Sequence, residues 1–203
     1  MELQQDIQEL INLFRSKNLK KAESLCKKLL LRFPREVFLH NMLGLIKTEN
    51  GKFDEAINIF EEGIKVNPNY PLFYNNLGTV YKVKGDHKNA EKNYLKSIEL
   101  DSKIPESHNN LGNLYLDMND FKKSIESYKN AIKINEKFFP AYYNLGSIYA
   151  NLGEFNLAKT YLEKSISLNK LLFSAHRNLS QITKYTSNNK HYKLLLDLYK
   201  DSK

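Results

Sequence analysis

A 34-residue period governs this chain. The stretch PLFYNNLGTVYKVKGDHKNAEKNYLKSIELDSKI, residues 71–104, reproduces its skeleton when shifted by 34 residues in either direction. Gly78 maps onto Gly44, Gly112 and Gly146, and Leu77 onto Leu43, Leu111, Leu145 and Leu179. Ala90 maps onto Ala22, Ala56 and Ala158, with Ser124 standing in once. A fixed period of this length marks an array in which each unit buries its apolar face by stacking on its neighbours. Function is then expected on a stacked surface rather than in a single deep cleft.

The period runs through five units at about residues 3–36, 37–70, 71–104, 105–138 and 139–172, and a degenerate stretch at 173–203 reads as a cap. This continuity predicts one domain over residues 1–203. Each unit carries two helical patterns. In residues 37–70 the first holds His40, Leu43, Gly44 and Lys47, and the second holds Phe53, Ala56, Ile57, Phe60 and Ile64. Gly51, Gly85 and Gly153 share a turn column with Asn119, where a left-handed residue closes a helix. Asp86 and Asp120 follow it as caps for the second helix. Pro34, Pro68, Pro71, Pro105 and Pro140 punctuate the joints between units.

Spaced at these intervals, Tyr74, Leu77, Gly78, Tyr81, Gly85, Ala90, Tyr94 and Ile98 resemble the tetratricopeptide repeat, and the match extends at least over residues 37–172. The resemblance implies an all-α fold: a right-handed α-solenoid of about five helix-turn-helix units plus a C-terminal capping helix pair. It also implies a non-enzymatic scaffold that binds proteins or peptides. The phrase AHRNLSQITKY, residues 175–185, looks like the junction at which such repeats lead into a bacterial sulfotransferase domain. The array is also similar to those preceding bacterial glycosyltransferase domains. The alternative function is therefore the recognition module of a larger modifying enzyme whose catalytic part lies outside residues 1–203.

Asparagine marks the first helices. Asn76, Asn110, Asn144 and Asn178 fill one column. They resemble the asparagine ladder of the repeats in O-linked N-acetylglucosamine transferase, which implies hydrogen bonds to the backbone of an extended peptide in a concave groove. A carboxamide offers donors and acceptors together and so suits any peptide unit. Asn75, Asn109 and Asn113 would widen the strip, with Asn41 at one end and Arg177 at the other. Tyr143, Phe38 and Tyr185 would add apolar contacts. Local bonding between repeats is the competing role for these same side chains. A carboxylate clamp, by contrast, lacks its cations: Leu45, Thr79, Asn113, Ser147 and Gln181 fill the required column.

Other chemistries find little support. His40, His108 and His176 stand two units apart, too far to share an ion, so ring packing is expected and no metal or other cofactor. Cys26, the one cysteine, falls in the column of Phe60, Tyr94, Tyr128 and Leu162 and reads as core. It fits a reducing, cytoplasmic compartment. No segment reaches the roughly 18 apolar residues of a membrane span, and MELQQDIQEL is no secretory signal. The net charge of +8 raises nucleic acid as a partner, but only four of the 31 basic residues are arginine. The lysines also concentrate on second helices. Both facts disfavour nucleic acid. A stripe from Tyr192 to Tyr199 offers a surface for homo-oligomers through the last helix.

Overall fold

The computed structural model describes residues 2–184 and 189–201. Among them are twelve α-helices and no strand: α1 (Glu2–Arg15), α2 (Leu19–Arg32), α3 (Val37–Glu49), α4 (Phe53–Val66), α5 (Pro71–Val83), α6 (His87–Leu100), α7 (Pro105–Asp117), α8 (Phe121–Ile134), α9 (Phe139–Asn151), α10 (Phe155–Leu168), α11 (Phe173–Ile182) and α12 (Lys190–Asp201). The chain divides into two compact units, Met1–Ile134 and Asn135–Lys203. The first holds four antiparallel helix pairs. The second holds a fifth pair followed by α11 and α12.

Local chemistry explains each boundary. The turn inside every pair has one residue at positive φ: Lys17 at 58°, Gly51 at 71°, Gly85 at 78°, Asn119 at 60° and Gly153 at 78°. The next residue's N–H then reaches back five positions, as from Asp86 to the Tyr81 carbonyl at 2.9 Å and from Asp120 to Tyr115 at 2.8 Å. These bonds satisfy carbonyls that the helix end would leave orphaned. Asp86 and Asp120 cap the following helix, accepting from the N–H groups of Asn89 and Lys123 at 3.1 Å each. At the far end Asn189 accepts from the N–H groups of His191 and Tyr192. Thr186, Ser187 and Asn188, which precede it in sequence, lie outside the described residues.

The joints between repeats have a second device. Asn67, Asp101, Asn135 and Asn169 each fold their side chain onto the N–H two residues on. From the next helix, His40, Tyr74, His108 and His176 each bond the carbonyl six residues back, at Pro34, Pro68, Ser102 and Lys170. The histidine column is thus a set of joint latches.

Packing follows size complementarity. Gly44, Gly78 and Gly112 face the rings of Phe60, Tyr94 and Tyr128 on the partner helix, and Gly146 faces Leu162. Gly63 makes room for the fully buried Phe73 of the next repeat. One period later the pair is Ser97 and Ser107, bonded Oγ to Oγ at 2.8 Å. Cys26 is wholly buried and its thiol donates to the Leu39 carbonyl at 3.3 Å. Burial first, then the charge of Glu23, pushes this thiol up to about 12, so it is inert core. No helix among the described residues is long and apolar enough to cross a membrane.

Candidate functional site

The first helices of successive repeats touch directly, α3 with α5 and α5 with α7 in the first unit, and α9 with α11 in the second. Within each unit these first helices pack side by side, and the asparagines lie on them. Adjacent positions on a helix point about 100° apart, so the two asparagine columns do different things. Asn41, Asn75 and Asn109 are each only 7% exposed, whereas Asn76 and Asn110 are half-buried.

The carboxamides of the first unit are linked to one another. Asn110 Nδ2 donates to Asn75 Oδ1 at 3.0 Å, Asn75 Nδ2 to Asn76 Oδ1 at 3.4 Å, and Asn76 Nδ2 to Asn41 Oδ1 at 2.7 Å. The link between repeats always spans 35 residues, one period plus one position. Each amide carries two N–H donors and two acceptor lone pairs, so one bond in each direction leaves hydrogen-bonding capacity. The inter-repeat role weighed from sequence is therefore present, and it fixes the orientation of the more exposed column.

Second helices support this strip from behind. Tyr94 donates its hydroxyl to Thr79 Oγ1 at 3.2 Å, and Tyr128 donates to Asn113 Oδ1 at 2.7 Å. Lys82 of α5 pairs with Asp117 of α7 at 2.7 Å, and Lys17 with Glu49 at 2.5 Å. The first of these pairs neutralises charge between two first helices, and the second ties the α1–α2 turn to the end of α3. On the second helices Lys20, Lys21, Lys27, Lys28, Lys88, Lys92, Lys122, Lys123, Lys129 and Lys133 are largely solvent-facing or half-buried rather than core. Phe38 packs against the first apolar cluster.

In the second unit, Tyr143 packs against the cluster of Leu162, Ile166, Ala175 and Leu179. Asn178 Nδ2 donates to Ser147 Oγ at 3.0 Å rather than to another asparagine. Asn144 is half-buried and Arg177 exposed. Tyr185 lies outside the described residues.

Two features escaped the sequence reading. Lys47, only 3% exposed, stands in the column that holds Tyr81, Tyr115 and Tyr149, and it is paired with Glu23 at 2.7 Å and Glu55 at 2.5 Å. The second is a buried histidine pair joining α11 to α12. His176 Nδ1 lies 2.8 Å from His191 Nε2. Because His176 Nε2 faces the Lys170 carbonyl, that nitrogen carries the proton and Nδ1 accepts from His191. Burial, and then the proximity of His176, hold His191 below its ordinary value near 6.5. The folded state thus binds fewer protons than the unfolded one, so its stability is full above that value and declines as pH falls through it. The protection of the α12 amides, measured as exchange relative to the intrinsic rate at each pH, should fall as pH drops below 6.5, and His191→Phe should remove that dependence. Protection that is unchanged on acidification would show that the pair does not hold α12.

Among the described residues no group of three or more His, Cys, Asp or Glu side chains is arranged to hold a metal ion. Profiles described as TPR repeat match residues 44–85 and 112–153, and profiles described as tetratricopeptide repeat match 72–104, 139–170 and 93–126. Together they run unbroken over residues 44–170, more than half the chain. No curated protein sequence matches. Among solved structures, TTC0263, a thermophilic TPR protein in Thermus thermophilus, is similar with TM-score 0.77 and 15% identity over 88% of this chain and 97% of that one. YrrB, "a TPR protein with an unusual peptide-binding site", gives 0.59 and 19% over 85% and 89%. MamA gives 0.64 and 23% over 78% and 93%. At these identities the likeness is one of fold.

Proposed function

The chain belongs to the tetratricopeptide repeat family, and from that premise we propose that it is a non-enzymatic scaffold holding an extended polypeptide along the asparagine strip of its first helices. The observation that carries this reading is the linked carboxamide series Asn110–Asn75–Asn76–Asn41. It presents donors and acceptors at repeat spacing, already oriented, with adjoining charges paired. In this reading Asn76 and Asn110 meet the peptide backbone, while Asn41, Asn75 and Asn109 set their orientation. Asn113 flanks them, and Tyr143, Asn144, Arg177 and Asn178 make the corresponding face of the second unit. A ligand read through its main chain needs no particular side-chain sequence. The setting we assign is cytoplasmic, in keeping with one buried thiol. The exposed Tyr192 and Leu196 of α12 are the surface we assign to self-association.

The test is binding of a random peptide library to the wild type and to the triple variant Asn76→Ala/Asn110→Ala/Asn144→Ala, with circular dichroism confirming retained helicity. At about 1 kcal/mol per hydrogen bond lost, affinity should fall on the order of 10- to 100-fold. Equal affinities in a folded triple variant would remove the strip from function.

A further inference from the structure

The fifth repeat contains an aromatic cluster that the fourth lacks. On α9 and α10, the Tyr161 ring stacks on Tyr149, with centroids 5.5 Å apart and planes inclined by 13°, and lies 6.3 Å from Tyr142. The residues 34 positions earlier are Ser127, Tyr115 and His108. Tyr115 keeps its ring, and its hydroxyl is anchored on Glu91 Oε1 at 2.7 Å. His108 replaces one flanking ring and is tied to the Ser102 carbonyl. Ser127 replaces the central ring, and its hydroxyl turns back onto the Lys123 carbonyl at 2.8 Å. A cavity of about 350 Å³ results, floored by Ile98, Leu111, His108 and Tyr115.

We propose that this slot, lined by α6, α7 and α8, receives an aromatic side chain from an acidic segment of a partner polypeptide. The fifth repeat supplies the template, since there a tyrosine of the chain itself fills the corresponding place. The slot favours a ring over an aliphatic chain for two reasons. Tyr115, 7% exposed and covered by Lys123, would present a flat face once that lysine swings aside. Lys123, whose Nζ already sits 5.0 Å from the centre of that ring, can move onto the outer face of an incoming one. Acidic flanks follow from charge: α8 carries Lys122, Lys123, Lys129 and Lys133 against Glu126 alone. A single ring covers far less than the roughly 800 Å² a partner buries in a stable interface, so the occupant belongs to a larger interface. This surface is separate from the asparagine strip on the first helices.

The probe is a short acidic peptide with one central tyrosine, compared with its leucine counterpart by amide chemical shifts of the full chain. The tyrosine peptide should bind about tenfold more tightly, with perturbations centred on His108, Tyr115 and Ser127. Ser127→Tyr should fill the slot from within, raise the melting temperature and lose that preference. Equal binding of the two peptides, perturbations centred elsewhere, or preference retained in Ser127→Tyr would overturn the assignment. The shift map on the unaltered chain decides the matter even if that variant fails to fold.

Discussion

Gly112→Ala is expected to destabilise the protein by about 2 kcal/mol although alanine is the better helix former. A Cβ at Gly112 would lie 2.6 Å from Tyr128 Cε1 and 2.7 Å from Cδ1, closer than carbon atoms approach. The ring cannot swing clear, because it is fully buried and its hydroxyl is fixed to Asn113. Overpacking of this kind costs about 1–3 kcal/mol, more when nothing yields, and the helix propensity of alanine returns up to about 1 kcal/mol. Gly85→Ala separates the two uses of glycine. A Cβ there meets no atom within 4 Å, but φ is +78°, so the cost is only the left-handed backbone, about 1 kcal/mol. Gly85→Asn should be nearly neutral, since Asn119 already serves the same turn at φ 60°. Urea midpoints would rank Gly112→Ala well below both. Equal losses for Gly112→Ala and Gly85→Ala would mean that the first-helix glycines serve backbone conformation rather than helix contact.

That contrast also shows what is legible in the sequence. Gly112 and Tyr128 meet within one helix pair, and a contact that recurs every 34 residues is written several times over. The placing of Cys26 in the core rests on the same redundancy. The asparagine columns are visible too, but Asn75 and Asn76 are neighbours in sequence and differ only by their direction around the helix. Which of the two is buried depends on how closely α3, α5 and α7 pack. The pairing rule, one period plus one residue, emerges only when Asn41 and Asn76 are seen together. His176 and His191 are hidden for another reason. His191 lies past the last regular unit, where no column exists to compare. Lys47 is hidden because its column holds tyrosine in the next three repeats, and a lysine there suggests the surface.

Lys47→Ala should cost about 3 kcal/mol near neutral pH, and Lys47→Tyr well under half of that. Burial works against the ammonium, yet bonds to Glu23 and Glu55 outweigh it and leave its pKa above the ordinary value. Glu23, bonded by Lys27 and Lys47, is held down to about 2. Removing the lysine strips a buried stem from between repeats and leaves two carboxylates without their shared cation, a costlier change than replacing the pair as a whole. Tyrosine fits because Tyr115 already makes the same contact one repeat pair later. Its hydroxyl donates to Glu91 at 2.7 Å across 24 positions, the spacing of Lys47 and Glu23. The sign of the pH dependence follows from the two shifts. A carboxylate with a lowered pKa contributes stability that is full above its ordinary value near 4.5 and is lost as pH falls through about 2. A lysine with a raised pKa contributes fully below its ordinary 10.5 and loses that only at higher pH. The ionic part of the Lys47→Ala penalty should therefore be constant from about pH 5 to 10 and shrink between 4.5 and 2, with Lys27 retaining part of the hold on Glu23 in the variant. Denaturation of wild type and variant across that acid window measures it. A penalty as large at the acid end of the window as at neutral pH would assign the effect to packing of the stem and leave the two carboxylates as bystanders.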